Sequence, residues 1–228
     1  LRIEDVALGC AVSVVVGVLF WPRGVLAGLG AALDEAYAAA GDRLRRVVLV
    51  LTGETRQVPD AVEHRLEAAR RSLDDAFRLF LAERGTERVP LHDATELAAT
   101  ATRLRLVGAS LADLARDGMA CGEPRGLPEI RLREAVAGLD LWLRELGDAL
   151  AGRRPDVPAP ERADEPWGEA LVDDLPDGAA DGTDGRVRGR TLMVLWTAQH
   201  LDAARRREEQ LSASSAAVVK ARSRRAWI

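Results

Sequence analysis

An uncharged run of sixteen residues, Val6 to Trp21, constrains this chain more than any other part of it. It reads VALGCAVSVVVGVLFW, without a charge or an amide side chain. A helix that spans a bilayer needs about 20 mostly apolar residues, and about 17 at the short end. Leu1 and Ile3 lengthen the apolar surface, although Arg2, Glu4 and Asp5 interrupt it. Pro22 then breaks the pattern, and Trp21-Pro22-Arg23 has the chemistry of a membrane boundary, because Trp prefers the headgroup level. No later stretch repeats such a run. The sequence also begins on Leu1 rather than Met, so we expect the carboxy-terminal piece of something larger. Residues 1–22 are therefore expected to be a last transmembrane helix.

A buried core helix would also have this length. A signal peptide fits less well, since Phe20-Trp21-Pro22-Arg23 is the wrong chemistry for a small-residue cleavage site. Gly9, Ser13 and Gly17 fall four apart and share one helix face. In lipid, such a stripe lets a neighbouring backbone approach closely. A lone span has little use for it. The expected partners are thus the bilayer and upstream transmembrane helices of the same parent protein, with a homo-oligomer as the expected assembly.

Past Pro22 the apolar residues recur every three or four positions. Leu26, Leu29, Leu33, Ala36, Ala40, Leu44, Val47 and Leu51 mark one long helix. Its glycines, Gly28, Gly30 and Gly41, either weaken it or allow close packing. Val62, Leu66, Ala69, Leu73, Phe77 and Phe80 mark a second helix, whose opposite face is charged. A third carries Leu97, Ala101, Leu104, Gly108, Leu111 and Leu114, and Asp93 with Glu96 has the spacing of a capping box. A fourth shows Leu132, Val136, Leu139, Leu143, Leu146 and Leu150. Four such stripes with loops of about ten residues predict an antiparallel bundle over 23–152.

Residues 153–189 hold five of the ten prolines and ten acidic against five basic side chains, which predicts an acidic, mobile Pro/Gly-rich linker. A last helix and basic tail are expected over 190–228, through Leu192, Leu195, Trp196, Gln199 and Ala203. The basic end, Lys220, Arg222, Arg224 and Arg225 beside Trp227, is either a solvated terminus or a contact for anionic headgroups.

No constellation points to catalysis. His64, His92 and His200 lie far apart and none sits in a HExxH pattern, while Cys10 and Cys121 form no CxxC pair. Asp177, Asp181 and Asp184, each followed by Gly, superficially suggest a calcium loop. Ala179 and Arg188 stand where two of its ligands belong, so an acidic linker is the better reading. We therefore expect no enzyme, no metal and no cofactor. No stretch pairs a basic excess with interleaved aromatics, so no nucleic-acid partner is expected either.

Arg2-Ile3-Glu4-Asp5-Val6-Ala7-Leu8-Gly9, followed by Gly17-Val18-Leu19-Phe20-Trp21-Pro22-Arg23, resembles the last transmembrane helix of the fusaric-acid-resistance-like (FUSC) family. These proteins are related to bacterial aromatic acid exporters. The resemblance covers about residues 2–50. It implies a bacterial inner-membrane protein that exports small organic or aromatic acids. It also implies that Trp21-Pro22 lies at the inner face and that the residues after Pro22 are cytosolic. The motif concerns helix boundaries, so it carries over no substrate-binding residues. The fold expected is all-α, one transmembrane helix running into an antiparallel cytosolic helical bundle that supports assembly or gating. A membrane-anchored helical module that binds a protein partner is the alternative.

Overall fold

The computed structural model describes residues 25–82, 91–116, 126–160 and 185–223. Among them are six helices and no strand: α1 (Val25–Leu51), α2 (Asp60–Ala82), α3 (Leu91–Leu114), α4 (Leu127–Ala151), α5 (Gly185–Arg205) and α6 (Glu208–Ser223). The Val6–Trp21 run, its small-residue stripe Gly9, Ser13 and Gly17, and the boundary Trp21, Pro22 and Arg23 lie outside the described residues. Among the described residues no helix is long and apolar enough to cross a membrane.

All eight residues that mark α1 in the sequence are buried, but so are Ala32, Tyr37, Ala38, Ala39, Val48 and Val50 between them. A helix apolar on one stripe packs on one neighbour; a helix apolar all round is a core helix. Accordingly α1 packs against α2, α3 and, most extensively, α4. The broken helix α5–α6 lies against α3 and α4 instead, with little contact to α1. The result is a four-membered bundle of α1, α3, α5–α6 and α4, with α2 added on the outside of α1.

The contact between α1 and α4 rests on missing side chains. A Cβ on Gly30 would run into the backbone carbonyl of Leu150. A Cβ on Gly147 would lie 2.5 Å from Asp34 Oδ1 and 3.0 Å from its Cα, and one on Gly41 would lie 2.6 Å from Asp140 Oδ1. The two aspartate–glycine contacts are reciprocal, each helix giving an Asp and receiving the other's at a Gly seven residues on. The sequence carries this as a repeat, Leu33-Asp34…Gly41-Asp42 on α1 and Leu139-Asp140…Gly147-Asp148 on α4. The helices run antiparallel about a local two-fold. Arg153 joins Asp34 at 2.8 Å, and Arg144 joins Asp140 at 3.1 Å, so neither carboxylate faces the contact unpaired.

The up-and-down order expected from the sequence holds for α1 with α2 and with α4. Arg43–Glu63 and Arg65–Glu35, both 2.8 Å, fix α1 and α2 antiparallel. In the same order α3 runs parallel to α1, since Tyr37 meets Leu97 while Arg43 and Leu44 meet Gly108, so α1 to α4 alternate in direction. The pair α5–α6 runs parallel to α4, since Arg190 meets Glu129 at the start and Arg222 meets Leu150 at the end. The chain length explains this. The 33 residues between Ala151 and Gly185 can return along α4, which is about 38 Å long at 1.5 Å per residue.

Two local details differ from the sequence reading. Helix α3 begins at Leu91, so Asp93 stands inside the first turn and does not cap it. Residues 153–160 form no helix but are fastened: Trp142 Nε1 donates to Ala159 O at 2.9 Å and Ser212 Oγ to Pro158 O at 3.2 Å. Residues 161–184 lie outside the described residues.

These contacts separate the glycines by their expected response. Gly147→Ala and Gly30→Ala force two backbones apart and should each cost about 1–3 kcal/mol, the usual cost of overpacking. Gly28→Ala and Gly138→Ala, where nothing lies within 4 Å, should stabilise by about 0.5–1 kcal/mol. Urea denaturation of the four variants checks this, and stabilisation by the first pair would show that α1 and α4 are not in close contact.

Candidate interaction surface

Among the described residues no group of three or more His, Cys, Asp or Glu side chains is placed to hold a metal ion. The three histidines stay apart. His64 is exposed on α2, His92 is exposed on α3, and the His200 ring rests on Trp196 with centroids 5.0 Å apart. Cys10, Cys121, Asp177, Asp181 and Asp184 lie outside the described residues.

The polar groups inside the bundle serve its architecture. Tyr37, the chain's single tyrosine, is fully buried and donates through its hydroxyl to Leu97 O at 2.9 Å, tying α1 to α3. Burial pushes its phenol far above the ordinary value, and the carboxylate of Glu96 adds to the effect. Arg43 sits between α1, α2 and α3, with Nε on Glu63 and its guanidinium against Gly108. Glu129 occupies the first turn of α4 and pairs with Arg190 at 2.5 Å, fixing the start of α5 to the start of α4. Burial pushes the Glu129 carboxyl up, but Arg190 and the backbone amides of Glu129 and Gly126 outweigh it and hold the group below its usual range.

What remains as a candidate site is the outer face of α5. The sequence marks this helix by Leu192, Leu195, Trp196, Gln199 and Ala203, yet the buried side is Met193, Val194, Thr197, Ala198, Leu201 and Ala204. Both sets repeat at helical spacing, and the set with smaller side chains sits closer to α3 and α4. Leu192 is left 55% and Trp196 49% exposed, on one face with the His200 ring. Leu127, Ile130 and Leu141 of α4 are also exposed, as are Leu79, Leu81, Leu91 and Leu106 elsewhere. Scattered exposed apolar residues are normal, and Trp is a residue type enriched at protein contacts. Periodicity alone does not reveal which of two apolar sides of a helix is covered, so the sequence reading missed this face.

Gly9, Ser13, Gly17, Trp21, Pro22 and Arg23 lie outside the described residues. Comparison with family models, with curated proteins and with solved structures finds no match.

The two tryptophans on α4 and α5 should respond oppositely. Trp196→Ser should leave stability within about 0.5 kcal/mol, as for most surface positions. Trp142→Ala, at a buried ring that also holds Ala159, should cost about 3–5 kcal/mol. Thermal unfolding followed by circular dichroism distinguishes them, and a large loss at Trp196 would mean that its face is internal. Tyr37 gives a pH test. A phenol whose folded value is raised contributes stability that is complete below about pH 10, its unfolded value, and is lost above it. Stability should fall above that pH by about 1.4 kcal/mol per unit from this group. Tyr37→Phe should remove that slope, and an unchanged slope in the variant would assign it elsewhere.

Proposed function

We propose that this chain is the carboxy-terminal part of a FUSC-like inner-membrane exporter of small organic or aromatic acids. Its helical domain would support assembly or gating from the cytosolic side. The reading rests on the apolar run Val6–Trp21 with its Trp21-Pro22-Arg23 boundary. The observation that favours a gating role is the position of α1. It begins at Val25, two residues past that boundary, and it is the helix on which α2, α3 and α4 all pack. A displacement of a preceding transmembrane helix would therefore reach the core of the domain and not an appended arm. Packed cores respond to such shifts by moving between discrete arrangements, because they do not deform continuously.

The second reading, a membrane-anchored module that binds a protein partner, is favoured by the exposed Leu192–Trp196 face. The two readings part at the upstream sequence of the parent. Five or more further spans favour transport, and none favours an anchored adaptor.

The functional test follows efflux of an aromatic acid from cells expressing the full-length parent at matched membrane levels. Gly9 and Gly17 changed together to Leu should damage efflux, because close approach of spans depends on small residues. Single Ala substitutions at His64, His92 and His200 should leave it within about threefold, since surface side chains away from special features contribute little. Loss of efflux from a single histidine change, with the double-glycine variant unaffected, would overturn the transport reading.

A further inference from the structure

Helices α1 and α4 end in the same way. Past Leu51 and past Ala151 the chain turns through a glycine of positive φ, Gly53 at +72° and Gly152 at +83°, the two such glycines among the described residues. The bonding around them matches bond for bond. Gly53 N–H donates to Val50 O, and the N–H groups of Glu54 and Thr55 both donate to Leu49 O. Gly152 N–H donates to Ala149 O, and those of Arg153 and Arg154 both donate to Asp148 O. The sequences agree as well. Gly53 to Pro59 reads GETRQVP, and Gly152 to Pro158 reads GRRPDVP. Val58 and Val157 both pack, partly buried, against the core.

These turns extend the Leu-Asp…Gly-Asp repeat of the same two helices. From Gly41 to Gly53 is twelve residues, and from Gly147 to Gly152 five. The difference of seven is close to two helical turns, so both turns leave their helices in the same phase relative to the α1–α4 contact. The helices that follow correspond too. Helix α3 runs parallel to α1, and α5–α6 runs parallel to α4. Helix α3 then meets α6 across the bundle, as α1 meets α4.

We propose that the domain is a fused two-fold pair. Residues 25–114 and 127–223 are two copies of one helical unit, and the α1–α4 contact is the surface through which such a unit binds a second copy of itself. Each unit is a helix, a glycine turn closed by Val-Pro, a connection, and a last stretch of helix parallel to the first. A two-fold interface is self-complementary, so each contact must occur twice with the roles exchanged. Asp34 on Gly147 and Asp140 on Gly41 show that reciprocity. The copies part after Val-Pro. The first continues into α2, which covers one side of α1, and the second continues through Ala159-Pro160 into the acidic Pro/Gly-rich sequence. The transport reading is not needed for this inference.

Thermal unfolding of the full chain, followed by circular dichroism, tests whether the units are interchangeable where they match. Pro155 is the third residue after Gly152, as Arg56 is the third after Gly53. Arg56→Pro should therefore keep Tm within about 2 °C of the parent or raise it, since proline on a compatible backbone restricts the unfolded chain. Thr55→Pro, which removes the N–H bonded to Leu49 O, should lower Tm by at least about 4 °C. Residues 54–57 and 153–156 exchanged within one chain should give a single transition within about 6 °C of the parent. That margin covers the surface ion pairs of Glu54, Arg153 and Arg154 that the exchange gives up. The same exchange with each tetrapeptide in reverse order moves the proline onto the bonded position and should melt at least about 4 °C below the forward exchange. The proposal is overturned if Arg56→Pro destabilises as much as Thr55→Pro. It is equally overturned if the forward exchange melts as low as the reversed one or prevents folding.

Discussion

The close approach of α1 and α4 is the constraint from which the rest of the bundle follows. Glycine at 30 and 147 lets two backbones come together at distances that a Cβ would crowd, and glycine at 41 makes room for the Asp140 carboxylate. Once α4 occupies that side of α1, the remaining apolar surface of α1 is left for α2 and α3. The groove between α3 and α4, away from α1, then takes α5 and α6. The two aspartates that seat against the glycines do more than fill space. Each is held by an arginine, Arg153 on Asp34 and Arg144 on Asp140, so the contact has a register as well as a depth. A shift of one turn along either helix would bring carboxylates against apolar side chains, at the cost of burying a charge away from its partner.

Much of the helical content was legible in the sequence because α2, α3 and α4 each have one apolar stripe and one polar side. The stripes Val62–Phe80, Leu97–Leu111 and Leu132–Leu150 correspond closely to what is buried. Helix α1 was legible as a helix but not as the centre, since a stripe read by period says nothing about Ala32, Tyr37, Ala38 and Ala39 beside it. The α1–α4 pairing had a visible signal, the Leu-Asp…Gly-Asp repeat at 33–42 and 139–148, but glycine in a helix reads equally as a weakness. The alternating directions of α1 to α4 were legible from their short connections, whereas that of α5–α6, parallel to α4, depends on how a long connection returns. The outer face of α5 was not separable from its inner one by period, because Leu192 and Trp196 repeat at the same spacing as Met193, Thr197 and Leu201.

The polar interior shows how a domain can be rich in buried ionisable groups without assembling chemistry. Tyr37, Arg43, Glu129 and Asp140 sit at four different helix contacts, and each engages a partner on another element or turn of helix. Groups so used gain little net stability but penalise wrong pairings, since a misdocked helix would strand them. In a bundle built from Leu, Val and Ala, with few aromatics to give shape, such penalties select one arrangement among many that bury similar area.

The central position of α1 has a consequence for synthesis. Leu150 follows Gly30 by 120 residues, so the partner that fits the glycine side of α1 leaves the ribosome long after α1 does. At about 5–20 residues per second, the delay is roughly 6 to 24 s. Helix α2, and then α3, arrive sooner and cover two sides. Through that interval the flattened side of α1, with its exposed backbone at Gly30 and Gly41, faces water or a chaperone. A translational pause before residue 150 extends the period in which the glycine side of α1, already covered on two others, waits for α4.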